Sequence, residues 1–360
     1  MSVKKNFYSD NVSGAAPEIL RAIVESNADD SAPYGGDQYT QRLERRMAEL
    51  FETEVEVYPV GTGTVANGLC AALLCAPFGA IYCAEISHLH VSECGGTEFW
   101  SGGNARSVPL PTVDGRIAVS TLVDAIESGA LRTADPPGRA ISLTQGTEAG
   151  TVYSVREVRE LAAAARAKNL LVHMDGARFA NAVARLGCTP AELSWKAGID
   201  VLSFGATKNG TLCAEAVVFF NRGLTETMRY RRRRAGQLFS KMRFLSAQMV
   251  AFLENDFWLR SARHANTMAA RIREGLEDIP GIRFPHPTEI NFVLTALPKQ
   301  VWDGLVADGY SFSRRGAPRD GVVRIACSWD TPAEAVDALI DSAHRHAGLV
   351  PAGAASARRA

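Results

Sequence analysis

Leu170-Leu171-Val172-His173-Met174-Asp175-Gly176-Ala177-Arg178 is a short apolar run that stops on a carboxylate and a glycine, with an arginine three residues after the acid. A stretch with helical spacing precedes it, carrying Val158, Leu161, Ala162 and Ala165 within residues 154–168. Together they read as a helix followed by a buried strand. The unit recurs on both sides: apolar, β-branched or aromatic runs at 55–60, 80–83, 106–110, 139–143, 170–174, 201–204 and 214–220 make seven candidate strands, most of them separated by helical spacing. Such alternation predicts an α/β fold with a mostly parallel seven-stranded sheet. Only residues 205–213 separate the last two runs, too few for a crossover helix, so one strand is expected to be antiparallel.

Beyond Asn221 the character changes. A basic stretch, Arg229-Tyr230-Arg231-Arg232-Arg233-Arg234, precedes a long helical segment at about 241–276, which predicts a bridge between two domains. Candidate strands at 281–284, 290–297 and 322–327 and a helix at 332–347 predict a smaller C-terminal α+β domain. The expected division is a large domain over 1–245, a small one over 246–348 and a disordered tail over 349–360, which is Ala/Gly/Ser/Arg-rich from Pro351 onward.

With 360 residues, 46% hydrophobic and 22% charged, the chain has the makeup of a globular protein with a sizeable core. Its 39 Lys and Arg balance 39 Asp and Glu, so no global field favours nucleic acid or an anionic membrane. No secretory signal is read at the start, and the longest apolar run, 69–84, is broken by Pro77 and Gly79, so no membrane span is expected. Seven cysteines, an odd number without a C-x-x-C pair, fit reduced thiols in a cytoplasm better than disulfides or zinc.

In an open α/β sheet ligands bind beyond the carboxyl ends of the strands, so residues just after each run come first. Asp175 at its strand tip is either a helix cap or a catalytic acid. Lys208, in Gly205-Ala206-Thr207-Lys208-Asn209-Gly210, is either a solvated charge or, if desolvated, an amine able to form a Schiff base. Gly61-Thr62-Gly63-Thr64 opens an Ala/Leu-rich helix, a tight turn that can also hold a phosphate on free N–H groups. It has neither the Walker nor the dinucleotide spacing. Ser87-His88-Leu89-His90 with Glu93 has no complementary metal-ligand cluster elsewhere, so no metal is expected; an imidazole there can stack on a planar group or move a proton.

A phosphate loop, a strand-tip His, an Asp after a long strand and a loop Lys beyond it together resemble the aspartate-aminotransferase-like, fold type I pyridoxal-phosphate enzymes. Tyr8-Ser9-Asp10-Asn11, Thr62-Gly63-Thr64-Val65-Ala66-Asn67, Ser87-His88 with Glu93, His173-Met174-Asp175-Gly176-Ala177-Arg178 with Asn181-Ala182, Ser203-Phe204-Gly205-Ala206-Thr207-Lys208 and Val323-Arg324 follow in order across the chain. This ordered set resembles the low-specificity L-threonine aldolases. The resemblance implies pyridoxal 5'-phosphate held by Lys208, Asp175 against its ring nitrogen, His88 on its ring face, and Gly63 and Thr64 at its phosphate. It places Arg178 near the ring oxygen and the substrate carboxylate, and Ser9 and Arg324 on that carboxylate.

The implied reaction is cleavage of a β-hydroxy-α-amino acid, such as L-threonine, L-allo-threonine or phenylserine, to glycine and an aldehyde. Better-known members carry a histidine on the loop where this chain reads Gln145-Gly146-Thr147-Glu148-Ala149-Gly150, with Glu148 as its counterpart. His88, His90, Glu148 or a bound water are therefore the candidate bases. The family also implies a homodimer or homotetramer with shared active sites. Tyr34 and Asp37 then either reach a neighbour or serve as turn residues, and Arg234 or Lys241 either approaches a neighbour's phosphate or lies on a solvated helix face. Two other readings remain: a β-eliminating lyase or aminotransferase of the same fold, and a basic binding protein using residues 231–234 on nucleic acid.

Overall fold

A computed structural model describes residues 4–28, 30–103, 105–130, 135–314 and 321–349. Its main sheet has the strands β1 (Glu56–Val60), β2 (Ala80–Ala84), β3 (Arg106–Leu110), β4 (Gly138–Thr144), β5 (Leu171–Gly176), β6 (Val201–Phe204) and β7 (Glu215–Phe219). Their spatial order is β1-β7-β6-β5-β4-β2-β3. The pairs from β3 across to β6 are parallel, whereas β7 runs antiparallel to both β6 and β1. The short β6–β7 connection thus produces the expected reversal.

Side chains along the inner strands β2 and β4 to β7 point alternately to two buried layers, which is why those runs are apolar almost throughout. Leu202, Phe204, Ala216 and Val218 face the larger core, while Val201, Val217 and Phe219 face a smaller one capped by helix Gly63–Leu74. Phe204 is fully buried and meets Phe51 edge-on, with ring centroids 6.1 Å apart. Burying a side chain of this size contributes roughly 1.5–3 kcal/mol.

A second sheet, in the order β8-β10-β9, contains β8 (Phe292–Ala296), β9 (Ser313–Arg314) and β10 (Val322–Ala326), all antiparallel, over its own apolar core. Phe7 is buried in that core; its N–H donates to the Ser311 carbonyl and its own carbonyl accepts from the Ala326 N–H, both at 2.9 Å. The N-terminal segment is thereby strapped beside β10.

Two local expectations are corrected, and one strand was not expected. Residues 281–284 form no strand, only a bridge between Arg283 and Ala296, because Pro280, Pro285 and Pro287 cannot donate to a ladder and Gly281 turns at φ 83°. The two-residue β9 was too short to be read from periodicity. The long helix at 241–276 is two, Arg243–Leu253 and Phe257–Leu276, separated where Asn255 and Asp256 take left-handed φ of 51° and 53°. Asn and Asp tolerate that region better than most residues. The 350–360 part of the expected tail lies outside the described residues.

One close approach fixes the turn after β6. A side-chain carbon on Gly205 would sit 2.6 Å from the Ala177 carbonyl oxygen and 2.7 Å from its Cα, both backbone atoms that cannot swing away. Gly205→Ala is expected to destabilise the protein by about 1–3 kcal/mol, read as a lower urea midpoint; an unchanged midpoint would show that the two loops can separate at no cost.

Candidate active site

The parallel strands deliver their last residues to one edge of the sheet. Asp175 is the penultimate residue of β5, Thr144 ends β4, and Lys208 stands in a single turn, Thr207–Asn209, after β6, closed by Gly210 at φ 112°. His88 opens a four-residue helix after β2. The strapped N-terminus brings Ser9 and Asp10, and β10 brings Arg324.

These residues border two adjoining clefts. One, of about 560 Å³, is lined by Ser9, His88, Glu148, Asp175, Arg178 and Arg324 among others. The other, of about 450 Å³, is lined by Gly63, Thr64, Asn67, Thr207 and Glu215 among others. Lys208, Asp175 and His88 border both, so the amine at 208 and the acid at 175 open onto one continuous space.

Charge is crowded here. Arg178 gives Nε to Asp10 Oδ2 at 2.8 Å and one terminal nitrogen to Oδ1 at 3.1 Å, a buried bidentate pair. Burial alone would raise the Asp10 carboxyl, but Arg178, Lys208, the Asn291 amide and Arg324 outweigh it and hold it well below the carboxylate range. Burial, reinforced by Arg178, pushes the Lys208 amine below the ordinary lysine value, against the pull of Asp10, Asp175 and Glu215. Glu215, raised by burial, accepts from the Ala206 N–H at 2.7 Å and so ties β7 to the lysine turn.

Asp175 Oδ1 accepts from the Ala177 N–H and Oδ2 from Asn67 Nδ2, each at 3.0 Å. Its neighbour on the strand, His173, bridges Ser142 and Ser203 at 2.9 and 3.0 Å; burial lowers it to about 4, so it stays neutral behind the acid. The His88 side chain is 42% exposed, which leaves its ring open to the cleft, while Nδ1 lies 2.9 Å from Glu93 Oε1. Glu148 Oε1 accepts from the His88 backbone N–H, and Oε2 is buried with no hydrogen-bond partner. Burial and the nearby Asp175 charge raise Glu148 to about 7.

At the other cleft, Thr62 caps helix Gly63–Leu74 by accepting from the Val65 N–H at 3.3 Å. A side-chain carbon on Gly63 would meet no atom within 4 Å, so this glycine leaves open space at the positive end of a twelve-residue helix. An amine, an acid, an exposed imidazole face and an open helix N-terminus around one space fit a flat, phosphorylated aldehyde, and Glu148, with its partnerless oxygen, borders the same volume.

Of the residues singled out from sequence, Ser9, Gly63, Thr64, His88, Glu148, Asp175, Arg178, Lys208 and Arg324 border the clefts. His90 does not; it turns to Ser107 at 2.9 Å. Tyr34 is exposed and does not border the clefts of its own chain, lying instead under the Arg233 guanidinium. Asp37 caps helix Gln38–Phe51. Within the basic run, Arg232 stacks on Tyr58 and Arg229 on Tyr230. Sequence reasoning gave no role to Asp10, Asn67, Glu215 or His286. Asp10 and Asn67 fell inside quoted motifs, but Glu215 and His286, the latter 2.9 Å from Asp114, carried no local signal.

Comparison with known proteins agrees with this geometry. Residues 6–298 match the beta-eliminating lyase family. Over 338 residues, 93% of this chain and 96% of the relative, the sequence is 44% identical to a low specificity L-threonine aldolase of Pseudomonas aeruginosa. It is 42% identical to another from a Pseudomonas species, over 91% of this chain and 93% of that one. A Leishmania major threonine aldolase superposes with a TM-score of 0.89 at 24% identity, over 96% of this chain and all of the other. The architecture is that of the fold type I pyridoxal-phosphate enzymes. The chain is an enzyme of the beta-eliminating lyase family and belongs, within it, with the low-specificity L-threonine aldolases.

Proposed function

We propose that this protein is a pyridoxal-phosphate-dependent aldolase that cleaves L-threonine, L-allo-threonine or related β-hydroxy-α-amino acids, phenylserine included, to glycine and an aldehyde. The observation that carries the reading is that Lys208 and Asp175 border the same cleft. Lys208 would hold the cofactor by its amine, Asp175 would face the ring nitrogen, His88 the ring face, and Gly63 and Thr64 the phosphate. When bound, the cofactor supplies an electron-accepting ring for the pair released as Cα–Cβ breaks.

This chain's own residues would do the rest. Arg324, with Ser9, would hold the substrate carboxylate and so decide which bond at Cα stands perpendicular to the ring. Arg178 reaches the same space, with two of its nitrogens bonded to Asp10, and would add its charge to the clamp. Glu148 Oε2 would accept the β-hydroxyl proton, and its missing hydrogen-bond partner supports that choice over His90.

The same reading includes a homodimer or homotetramer in which Tyr34 and Arg234 or Lys241 serve a neighbour's cleft. It also includes a large unit over 1–245 and a small one over 246–348. The setting would be a reducing cytoplasm, consistent with seven unpaired cysteines. Among the described residues, no helix is long and apolar enough to cross a membrane.

Purified protein supplied with pyridoxal phosphate is expected to release glycine and an aldehyde from threonine or phenylserine; ammonia and a keto acid would instead favour the β-eliminating or transaminating alternatives. Lys208→Ala should lose both the visible absorbance of bound cofactor and turnover. Because a base must be ionised to accept a proton, kcat/KM should rise as pH climbs through about 7. Glu148→Gln should lose that limb and about 10²–10⁴-fold of the rate; an unaltered pH profile in the variant would assign the base elsewhere. Arg324→Ala should raise KM while leaving cofactor affinity nearly intact, and equal loss of both would contradict the carboxylate assignment.

A further inference from the structure

Asn67 is buried on helix Gly63–Leu74, and its amide joins two acids. Nδ2 donates to Asp175 Oδ2 at 3.0 Å and to Glu93 Oε1 at 2.8 Å. A carboxylate oxygen accepts only, so the amide must turn its nitrogen to both. Its own Oδ1 is left buried without a hydrogen bond. An orphaned carbonyl costs free energy, which two charge-assisted bonds on the nitrogen offset. Glu93 Oε1 also lies 2.9 Å from His88 Nδ1. The result is a continuous chain, Asp175 to Asn67 to Glu93 to His88, running from the strand tip to the exposed imidazole.

We infer that Asn67 is a positioning residue whose one amide nitrogen locks the acid meant for the ring nitrogen and, through Glu93, the imidazole meant for the ring face into a single unit. It also stands between two carboxylates brought within reach of one atom. The inference rests on the pyridoxal-phosphate reading above.

The test is a double-mutant cycle with Asn67→Ala, Glu93→Gln and their combination. It is read as the dissociation constant for pyridoxal phosphate and as the pH midpoint of the bound cofactor's visible absorbance. Asn67→Ala should weaken binding by about tenfold and move the midpoint. Glu93→Gln keeps a carbonyl for His88 and removes one of the two charges, so it should do little alone and restore most of the loss in the double variant. Asn67→Asp keeps the shape and replaces the donor with an acceptor, and should lose at least as much as Asn67→Ala; it carries the test if the alanine variant does not fold. Additive losses, or Asn67→Ala and Asn67→Asp variants with wild-type affinity and midpoint, overturn the inference. Wild-type protein that takes up no pyridoxal phosphate overturns the functional reading instead.

Discussion

Asp10, Asp175, Arg178 and Glu215 meet around Lys208 at the carboxyl ends of the parallel strands, where each acts on the charge of its amine. Ions taken out of water are tolerated only when paired and hydrogen-bonded, and the surrounding architecture supplies those partners. Arg178 is held by Asp10, Asp175 by the Asn67 amide and a backbone N–H, and Glu215 by the Ala206 N–H. The lysine amine has repulsion from Arg178 on one side and three carboxylates on the other, and burial tips the balance toward the neutral, nucleophilic form.

The fold can be understood as the means of closing this set. A parallel sheet sends every strand tip to one edge, the antiparallel β7 returns Glu215 beneath the lysine turn, and a glycine at 205 lets that turn pack against the Ala177 backbone. The remaining members come from far away in the chain. Asp10 arrives because residue 7 is anchored in the second core, and Arg324 because β10 runs beside that anchor, with its guanidinium donating to the Tyr8 carbonyl at 3.3 Å. The two sheets are thus coupled through the N-terminal segment at the place where the substrate carboxylate would bind.

Glu148 shows how environment rather than residue type sets a group's chemistry. On an exposed loop it would be a solvated anion. Here one oxygen is engaged by the His88 backbone and the other is buried without a partner, and burial and Asp175 raise the carboxyl to about 7. A proton acceptor of that kind is what the loop would require in place of the histidine carried there by better-known relatives.

Legible along the chain were the seven strands of the main sheet, the single reversal at β7 and the positions bearing the lysine, the acid and the imidazole. Those features follow from local periodicity and from residues at strand tips, where spacing along the chain and position in space coincide. The sequence did not reveal the break at Asn255 and Asp256, the two-residue β9, or the failure of 281–284 to pair, since each depends on one or two residues. Only the tertiary structure decided that Arg178 is committed to Asp10, that Glu215 supports the lysine turn, that His90 faces away and that Asn67 joins two acids. These are contacts between residues distant in sequence, in which burial sets the charge of each group, and no pattern read along the chain encodes the dielectric around a side chain.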